Sequence, residues 1–253
     1  MNHLTAMSLL GACLAGTWLA APGAAGSQQA GSAGSAAPVN TLTPDERAAG
    51  WRLLFDGKTT AGWRGWKMDS LPSGWQVVDG TLKRVKPAAD IITKEKFKNF
   101  ELSLEWNIAK NGNSGIFYRA SEDPGDNAIY WSAPEMQVLD DAGHPDGQSR
   151  LTAAGADYGL YPSPAGVVKP PGQWNQVRLV VNGNHVEHWL NGKKVVTYDL
   201  GSDDWKQRVA KSKFNAWKKF GTLKRGKIDL QDHGDEVAYR SIKIRGRKGT
   251  SEK

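Results

Sequence analysis

Cysteine is almost absent from this sequence: Cys13 is the only one among 253 residues. It lies in an uncharged N-terminal stretch, so the rest of the chain carries no thiol. That absence excludes disulfides, thiolate metal sites and a cysteine nucleophile from the remainder of the protein. The motifs of several enzyme classes are missing too, since there is no P-loop, no G-x-G-x-x-G after a strand, no H-E-x-x-H and no G-x-S-x-G.

Charge is absent from the first 44 residues, which contain no Lys, Arg, Asp or Glu. The apolar stretch "LTAMSLLGACLAGTWLAAPGAAG" gives way there to "SQQAGSAGSAAPVN". We interpret residues 1–25 as a signal peptide or lipoprotein signal and residues 26–42 as a flexible Ala/Gly/Ser linker. "LGAC" favours lipidation of Cys13, whereas the apolar residues beyond it favour ordinary cleavage near Ala24 or Ala25. Either interpretation predicts an exported protein, periplasmic or secreted. If the protein is an envelope lipoprotein, a lipid anchor at Cys13 is its one predicted link to a membrane.

Basic residues are in excess, with a formal net charge of +7 and a pI of about 9.4. They are spread along the chain and are densest in Lys206–Lys219 and Lys243–Lys248. No nucleic-acid-binding motif accompanies them, so we predict no nucleic-acid partner. Residues 248–253 are interpreted as a disordered tail.

Long amphipathic helices are also lacking. Short strand signals instead recur along the chain from about Trp51 onward. Asp79-Gly80 and Asn191-Gly192 are hairpin dipeptides, and "FELSLEWNIA" alternates apolar with polar residues. Only segments 43–50 and 202–220 look helical, with Thr43 and Ser202 placed as N-caps. The sequence therefore predicts an all-β sandwich or jelly roll with one or two short helices, formed as one domain by residues 43–247.

Several predicted strands carry polar residues of kinds that suit a binding site. With a period of two, Glu135 and Gln137 share one face of "EMQVL", Arg119 ends "GIFYRA", and Gln231 and His233 share a face of "IDLQDHG". The outer face of a sheet is also polar, so ordinary solvent exposure stays open as an alternative. The chain has 11 Trp, and aromatic rings that stack on sugars, beside amides that bind hydroxyl groups, favour a sugar cleft.

Two further groups of polar residues allow more than one interpretation. His188 lies in the apolar pattern of "HVEHWL", where a core histidine is the commoner case and a β-bulge would be needed to turn it toward a cleft. The loop "LDDAGHPDG" is rich in oxygen ligands of the kind that hold Ca²⁺, and its His with carboxylates suits a transition metal. Its spacing is not that of an EF-hand, so a solvated turn is the alternative. The segment "SEDPGDNAIYWSA" reads as a variable rim.

Seven ordered blocks resemble one bacterial family, the 3-keto-disaccharide hydrolase domain. The blocks are "LFDGKTTAGWRGW", "WQVVDGTL", "DIITKEKFKNFELSLEWNI", "GNSGIFYR", "PEMQVLDD", "GQWNQVRLVVNGNHVEHWLNGKKVVTYD" and "IDLQDHGDEVAYRSIKIR". They cover nearly everything from Trp51 to Arg245. The resemblance implies a concanavalin-like β-sandwich, which agrees with the strand pattern, although that fold alone does not determine a function.

The resemblance also implies an enzyme that cleaves glycosides whose sugar is oxidised to a ketone at C3. Such a ketone acidifies the C2 hydrogen, so a base can remove it, the enolate can expel the C1 substituent, and water can add back. The site needs a base, a group that stabilises the enolate oxygen and an acid for the leaving group. The rival interpretations are a non-catalytic carbohydrate-binding sandwich and a structural envelope domain.

The blocks of the resemblance carry most of the residues that we expect at the site, whereas Lys169 lies outside them and Tyr130 and Trp131 belong to the rim segment as candidates for sugar stacking. Catalytic roles are expected for Glu135, His233, His188 and Arg119, where Arg119 or a bound metal suits the enolate oxygen. The expected substrate-binding residues are Gln137, Gln231, Lys169, Asn113, Tyr130 and Trp131. One divalent metal ion, Ca²⁺ or Mn²⁺, is expected at Glu135 and Asp140. The expected partner is a carbohydrate substrate.

Overall fold

The computed structural model describes residues 38–247 of the chain. The predicted signal segment, most of the linker and the tail lie outside these residues, so the interpretations placed on them stay predictions. Among the residues described, no helix is long and apolar enough to cross a membrane.

The described residues form two antiparallel sheets, one of eight strands and one of five. The larger sheet contains β1 (Arg52–Leu53), β3 (Trp75–Val78), β4 (Thr81–Arg84), β6 (Phe100–Ile108), β9 (Asn175–Asn182), β10 (His185–Leu190), β11 (Lys193–Asp199) and β13 (Val237–Gly246). The smaller sheet contains β2 (Trp63–Gly65), β5 (Ile91–Thr93), β7 (Asn113–Ala120), β8 (Glu135–Leu139) and β12 (Lys227–Leu230). Their orders are β11-β10-β9-β6-β13-β4-β3, with β1 also on β13, and β2-β5-β12-β7-β8.

The core lies between these two sheets, so the predicted all-β sandwich is confirmed. Leu102, Leu104 and Trp106 of β6 face it, as do Ile116 and Tyr118 of β7, and none of these side chains is more than 1% exposed. Burying each large apolar side chain stabilises the fold by roughly 1.5–3 kcal/mol. The alternation read from "FELSLEWNIA" therefore identified the core face of β6.

Tight turns join neighbouring strands where the sequence predicts hairpins. Asp79 and Gly80, between β3 and β4, have φ values of 48° and 72°. Asn191 and Gly192, between β10 and β11, have φ values of 49° and 79°. Two consecutive left-handed residues are what a type I′ turn requires, and Asn, Asp and Gly tolerate that conformation best.

The helices are short and begin at the predicted caps. Thr43 and Glu46 form a capping box at α1 (Pro44–Ala48), and the Ser202 hydroxyl accepts from the Trp205 amide at the start of α2 (Asp203–Ala210). Segment 202–220 is not one helix, because the Ser212 hydroxyl accepts from the Phe214 amide and starts a separate 3-10 helix (Lys213–Ala216).

The segment between β7 and β8, interpreted from the sequence as a rim, folds over the outer face of the smaller sheet. It contains a 3-10 helix (Ile129–Trp131). Ile129 and Ala133 are buried there against Ile92 and Phe117 in a small second apolar cluster. This cover leaves the part of the outer face beside β8 open for a site.

Candidate active site

Polar residues predicted for the site lie next to one another on the outer face of the smaller sheet. The strand register places Asp229 of β12 and Glu135 of β8 in one row, on either side of Phe117 of β7. Further along, Gly115 pairs with Gln137, and the Gln231 amide donates to the Gly115 carbonyl at 3.0 Å. Side chains two residues apart point to the same face of a strand, so these groups converge.

Gly115 leaves the space that the carboxyl group of Glu135 occupies. A Cβ atom at Gly115 would lie 2.2 Å from Glu135 Oε1 and 2.9 Å from its carboxyl carbon. Any side chain at this position would therefore displace the carboxyl group. A glycine within a strand often marks such a close approach, and here it allows Glu135 to lie across the neighbouring strand.

The converging side chains border a cleft of about 210 Å³. Its lining comprises Asn113, Tyr130, Glu135, Gln137, Tyr158, Lys213, Gln231 and His233. Six of these eight residues are among those expected from the sequence, and only Tyr158 and Lys213 are new. The structure thus brings the six together, while the role predicted for each stays a prediction.

Amide atoms of the lining lack protein partners. Asn113 Oδ1, Gln137 Nε2 and Gln231 Oε1 are buried and form no hydrogen bond with the described residues. Buried polar atoms are normally paired with protein or water. Two acceptors and one donor in a small cleft suit the hydroxyl groups of a sugar, because each hydroxyl can both donate and accept.

Glu135 is an acid whose surroundings favour its neutral form. Its side chain is 9% exposed. Burial raises the pKa of its carboxyl group to about 8; the Lys213 ammonium acts in the opposite direction, and the Asp90 and Asp146 carboxylates add to the increase. Glu135 therefore holds its proton at neutral pH, as a general acid must.

Asp229 is a second carboxyl group, buried behind the cleft lining in the same row as Glu135. It is fully buried, and neither of its carboxyl oxygens has a hydrogen-bond partner among the described residues. Burial, followed by the Asp90 and Glu135 charges, raises the pKa of Asp229 well above its usual range. Burial also raises the pKa of Asp90, to about 6. The period-two pattern of "IDLQDHG" puts Asp229 on the face of Gln231 and is the signal that could have identified it.

Lys213 supplies a positive charge to the lining. Its Nζ atom lies 4.6 Å from the ring centre of Tyr158 and 5.4 Å from that of Tyr130. Ammonium groups are attracted to aromatic faces at such distances. In the sequence Lys213 stands among other lysines of a segment that reads as one helix, so nothing there distinguishes it.

The loop after β8 forms one wall of the cleft. The Tyr158 hydroxyl donates to Asp146 Oδ2 at 3.1 Å, and the Asp146 amide donates to His144 Nδ1 at 3.1 Å. The His144 ring meets the His233 ring edge to face, with centres 6.4 Å apart. Burial raises the pKa of Tyr158 to about 12, so it stays protonated. These contacts connect the loop to the exposed His233.

Asp140, expected as a metal ligand, lies outside the cleft lining. Its carboxylate accepts from the amides of Asn111 at 2.8 Å and Ala142 at 3.2 Å, so it caps backbone groups. Among residues 38–247, no three His, Cys, Asp or Glu side chains cluster as metal ligands. Asp140 thus lies apart from the lining that contains Glu135, and the ion site expected at these two residues stays a prediction.

Arg119 also lies outside the cleft, because a β-bulge turns it away from the face of Gly115. Its φ is 55°, and the register of β7 against β12 shifts between Lys227 and Ile228. The guanidinium group donates to the carbonyls of Lys98 at 3.0 Å and Gly183 at 2.5 Å, at one end of the larger sheet. The structure thus corrects the prediction that Arg119 faces the enolate oxygen.

His188 lies in the sandwich core, against the prediction that it acts in the site. It is fully buried, with Nε2 3.0 Å from the Tyr118 hydroxyl and Nδ1 3.0 Å from the Gly155 carbonyl. Since Nδ1 must donate to a carbonyl, Nε2 accepts from Tyr118. Burial lowers the pKa of His188 to about 4, so it is neutral. The irregularity between β10 and β11 follows His188 and places its extra residue, Val195, in β11, so it does not turn His188 outward.

Two of the expected substrate-binding residues lie away from the lining. Lys169 Nζ donates to the Trp174 carbonyl at 3.0 Å in the loop before β9. Trp131 stacks on Trp217, with ring centres 5.9 Å apart, beside the cleft. Of the two aromatic residues expected at the sugar, Tyr130 is therefore the one that borders the cleft.

A sugar-sized cleft with an acid, a cation and free amides agrees with the similarity of this chain to known proteins. Residues 50–245 match the family described as the 3-keto-alpha-glucoside-1,2-lyase-like domain. The chain belongs to this family. A 3-keto-disaccharide hydrolase of Bacteroides thetaiotaomicron is 37% identical over 240 residues, covering 83% of this chain and 83% of the relative. These relationships confirm the predicted family and make the protein a glycosidase-type hydrolase.

Solved structures with a similar fold agree with this assignment. A candidate glycosyl hydrolase of Parabacteroides distasonis is 34% identical with a TM-score of 0.78. The match covers 83% of this chain and 100% of that one. A second from the same organism is 30% identical with a TM-score of 0.64, covering 78% and 99%. A Bacillus subtilis protein with a galectin-like fold, 13% identical with a TM-score of 0.50, covers 84% and 96% and shows the fold alone. The predicted concanavalin-like sandwich is confirmed.

Proposed function

We propose that this member of the family cleaves the glycosidic bond of 3-keto-glycosides, 3-keto-disaccharides in particular, by C2 proton abstraction, elimination and hydration. The observation that supports this most is the presence of buried Glu135, exposed His233 and Lys213 around one cleft. They supply the acid, the base and the cation that this elimination requires. The name of the Bacteroides relative, 3-keto-disaccharide hydrolase, supports the same substrate class.

The first step of the proposed reaction forms an enolate. His233 takes the C2 proton through a ring nitrogen, since histidine is the commonest side chain in general acid–base catalysis. The electron pair of the C2–H bond forms a C2–C3 double bond, and the C3 oxygen takes up the negative charge. Lys213 Nζ, held near the Tyr158 and Tyr130 rings, stabilises that oxyanion.

The second step breaks the glycosidic bond. The C3 ketone forms again, a C1–C2 double bond forms, and the C1–O bond breaks with its electron pair on the aglycone oxygen. The Glu135 proton passes to that oxygen. Water then adds at C1 as the Glu135 carboxylate takes a proton from it, and protonated His233 returns a proton to C2. The net reaction consumes one water molecule, and both residues return to their starting states.

A two-carboxylate glycosidase mechanism is less well supported. Such enzymes hold an ionised carboxylate near the acid. Asp229 lies in the row of Glu135, but it is fully buried and does not line the cleft. Burial also raises its pKa well above the usual range, so it lacks the charge of a nucleophile or base.

Turnover of a 3-keto-glucoside by the purified protein tests the proposed function. We expect release of the aglycone, and no release from the same glucoside with an unoxidised C3 hydroxyl. Saturable binding of the keto-glucoside without release would instead identify a carbohydrate-binding domain. His233→Ala should bind the substrate and fail to release the aglycone, whereas full activity in this variant would remove His233 from the mechanism.

A requirement for Ca²⁺ or Mn²⁺ stays a prediction that the same assay can check. Turnover is compared before and after EDTA treatment, and then after each ion is added back. Loss of activity with EDTA and recovery with one ion would support a resident metal. Equal rates throughout would contradict it.

A further inference from the structure

Aromatic side chains continue outward from the cleft beyond Tyr130. The Trp217 ring meets the Tyr130 ring edge to face, with centres 5.2 Å apart and an angle of 73°. Trp217 also stacks on Trp131 at 5.9 Å and 18°. All three rings are half-buried, so each keeps part of its surface exposed. An aromatic surface therefore leads from the cleft to Trp217.

Trp217 also borders a second depression, which we name the outer groove. It has a volume of about 480 Å³, and its lining includes Trp205, Phe214, Asn215, Trp217 and Lys218. The 3-10 helix that begins at Lys213 separates it from the cleft, since Lys213 lines the cleft while Phe214 and Asn215 line the groove. A ligand that extends past Tyr130 therefore meets Trp217 first.

The size of the cleft requires such an extension for a disaccharide. Its 210 Å³ is below the roughly 300–1,000 Å³ of pockets that hold drug-sized ligands. One sugar ring fits this space, and the second ring must lie outside it. The apolar face of a pyranose ring, or the face of an aromatic ring, packs well on an indole.

We propose that Trp217 forms the leaving-group subsite, which binds a cyclic aglycone, either a second pyranose or an aromatic ring, by stacking at the entrance of the outer groove. The inference rests on the proposed function, because the cleft must hold the 3-keto ring for the aglycone to reach Trp217. Trp217 contacts no reacting bond in this arrangement, so it determines specificity and not the rate of the chemical step.

Two substrates separate this role from a structural one. A 3-keto-disaccharide of two glucose units has a ring for Trp217 to bind, whereas methyl 3-keto-glucoside has none. Trp217→Leu, which keeps apolar volume but removes the ring, should lower kcat/KM for the disaccharide about tenfold, the scale of one aromatic contact. It should leave kcat/KM for the methyl glucoside unchanged. Trp217→Phe should retain most of the wild-type preference for the disaccharide.

The control is Trp189→Ala, on β10 of the larger sheet, where a half-buried tryptophan packs against Arg178. This variant should leave kcat/KM unchanged for both substrates. If Trp217→Leu lowers kcat/KM equally for both substrates, or does not lower it for the disaccharide, the proposed subsite is wrong while the proposed function stands. A wild-type protein that cleaves neither substrate would overturn the proposed function, and the subsite with it.

Discussion

Glu135 owes its chemistry to the residues that keep it uncharged. The absence of a side chain at Gly115 leaves room for the carboxyl group, and the Asp90 and Asp146 carboxylates add to the increase in its pKa. Burial raises the Glu135 pKa to about 8, although Lys213 acts against that increase. At the residue scale, the account therefore depends on a protonated acid next to a cation.

Glu135→Gln should lower kcat by about 10²–10⁴-fold on a sugar aglycone, because an amide gives no proton to the leaving group. A nitrophenyl 3-keto-glucoside has a leaving group that needs no proton, so the loss there should be much smaller. Steady-state kinetics on both substrates measure the difference. Equal losses would contradict an acid role for Glu135.

Lys213→Met should lower kcat/KM by about 10²–10³-fold, the effect of removing one oxyanion-stabilising group. Methionine keeps an apolar stem near Tyr130 and Tyr158 but removes the charge. Lys211→Met is the matched control, since Lys211 is exposed, lies two residues away and does not line the cleft. Similar activity in the two variants would exclude Lys213 from the mechanism.

At the scale of the element, β8 could be interpreted from its sequence because every residue follows the pleat. Met136 and Val138 enter the core, while Glu135 and Gln137 line the cleft. The same reasoning failed for Arg119. The bulge in β7 depends on how β7 pairs with β12, and the sequence of β7 alone carries no information on that pairing.

The close packing of β7 against β8 gives a further prediction. Gly115→Ala should lower kcat/KM at least tenfold, since its Cβ would lie 2.2 Å from Glu135 Oε1 and would displace that oxygen. Gly125→Ala is the control, because a Cβ atom at Gly125 would have no neighbour within 4 Å. Kinetics and thermal unfolding of both variants check this, and a fully active Gly115→Ala would contradict the positioning of Glu135 by the glycine.

Irregular segments account for the residues that sequence patterns missed. Lys213 reaches the cleft because the Ser212 hydroxyl caps a new 3-10 turn after α2 has ended. Tyr158 reaches it through its contact with Asp146 in the loop after β8. Neither position follows from a helical or strand period, since each depends on how distant segments pack.

At the scale of the molecule, local signals sufficed for the fold class. Hairpin dipeptides such as Asp79-Gly80, and alternation along β6, predict an antiparallel sandwich. The strand order and the choice of the smaller sheet for the site depend on long-range pairing. The burial of His188 likewise depends on contacts with Tyr118 and Gly155, so its sequence pattern left two alternatives open.

Buried acids and paired acids affect the stability of the whole molecule in opposite directions. The pKa values of Glu135 and Asp90 are raised to about 8 and about 6, so the stability they contribute is present at low pH and is lost as the pH rises through these values. Burial raises the pKa of Glu101, but Arg178 and Arg245 outweigh burial and hold it below its usual range. The stability from Glu101 is therefore lost as the pH falls below about 4.5.

We expect the contribution of Glu135 to the free energy of unfolding to be greatest below about pH 4.5 and to decline toward about pH 8. At about 1.4 kcal/mol per pKa unit, Glu135 alone contributes a few kcal/mol to that decline. Glu135→Gln should therefore gain stability relative to the wild type as the pH rises. Denaturant unfolding of both proteins between about pH 4 and pH 9 measures this, and a stability difference between the two proteins that stays constant from pH 5 to pH 8 would contradict it.

Breakage of the C2–H bond during turnover is the central claim of the proposed reaction. Hydrolysis of a 3-keto-disaccharide in D₂O, followed by mass spectrometry of the released keto sugar, measures it most directly, with heat-inactivated protein as the control for spontaneous exchange. The proposed reaction predicts one solvent deuterium at C2 in the released sugar, acquired at the rate of turnover, because the proton that exposed His233 takes from C2 exchanges with solvent before His233 returns one to C2. Released sugar that retains its original hydrogen at C2 would contradict it.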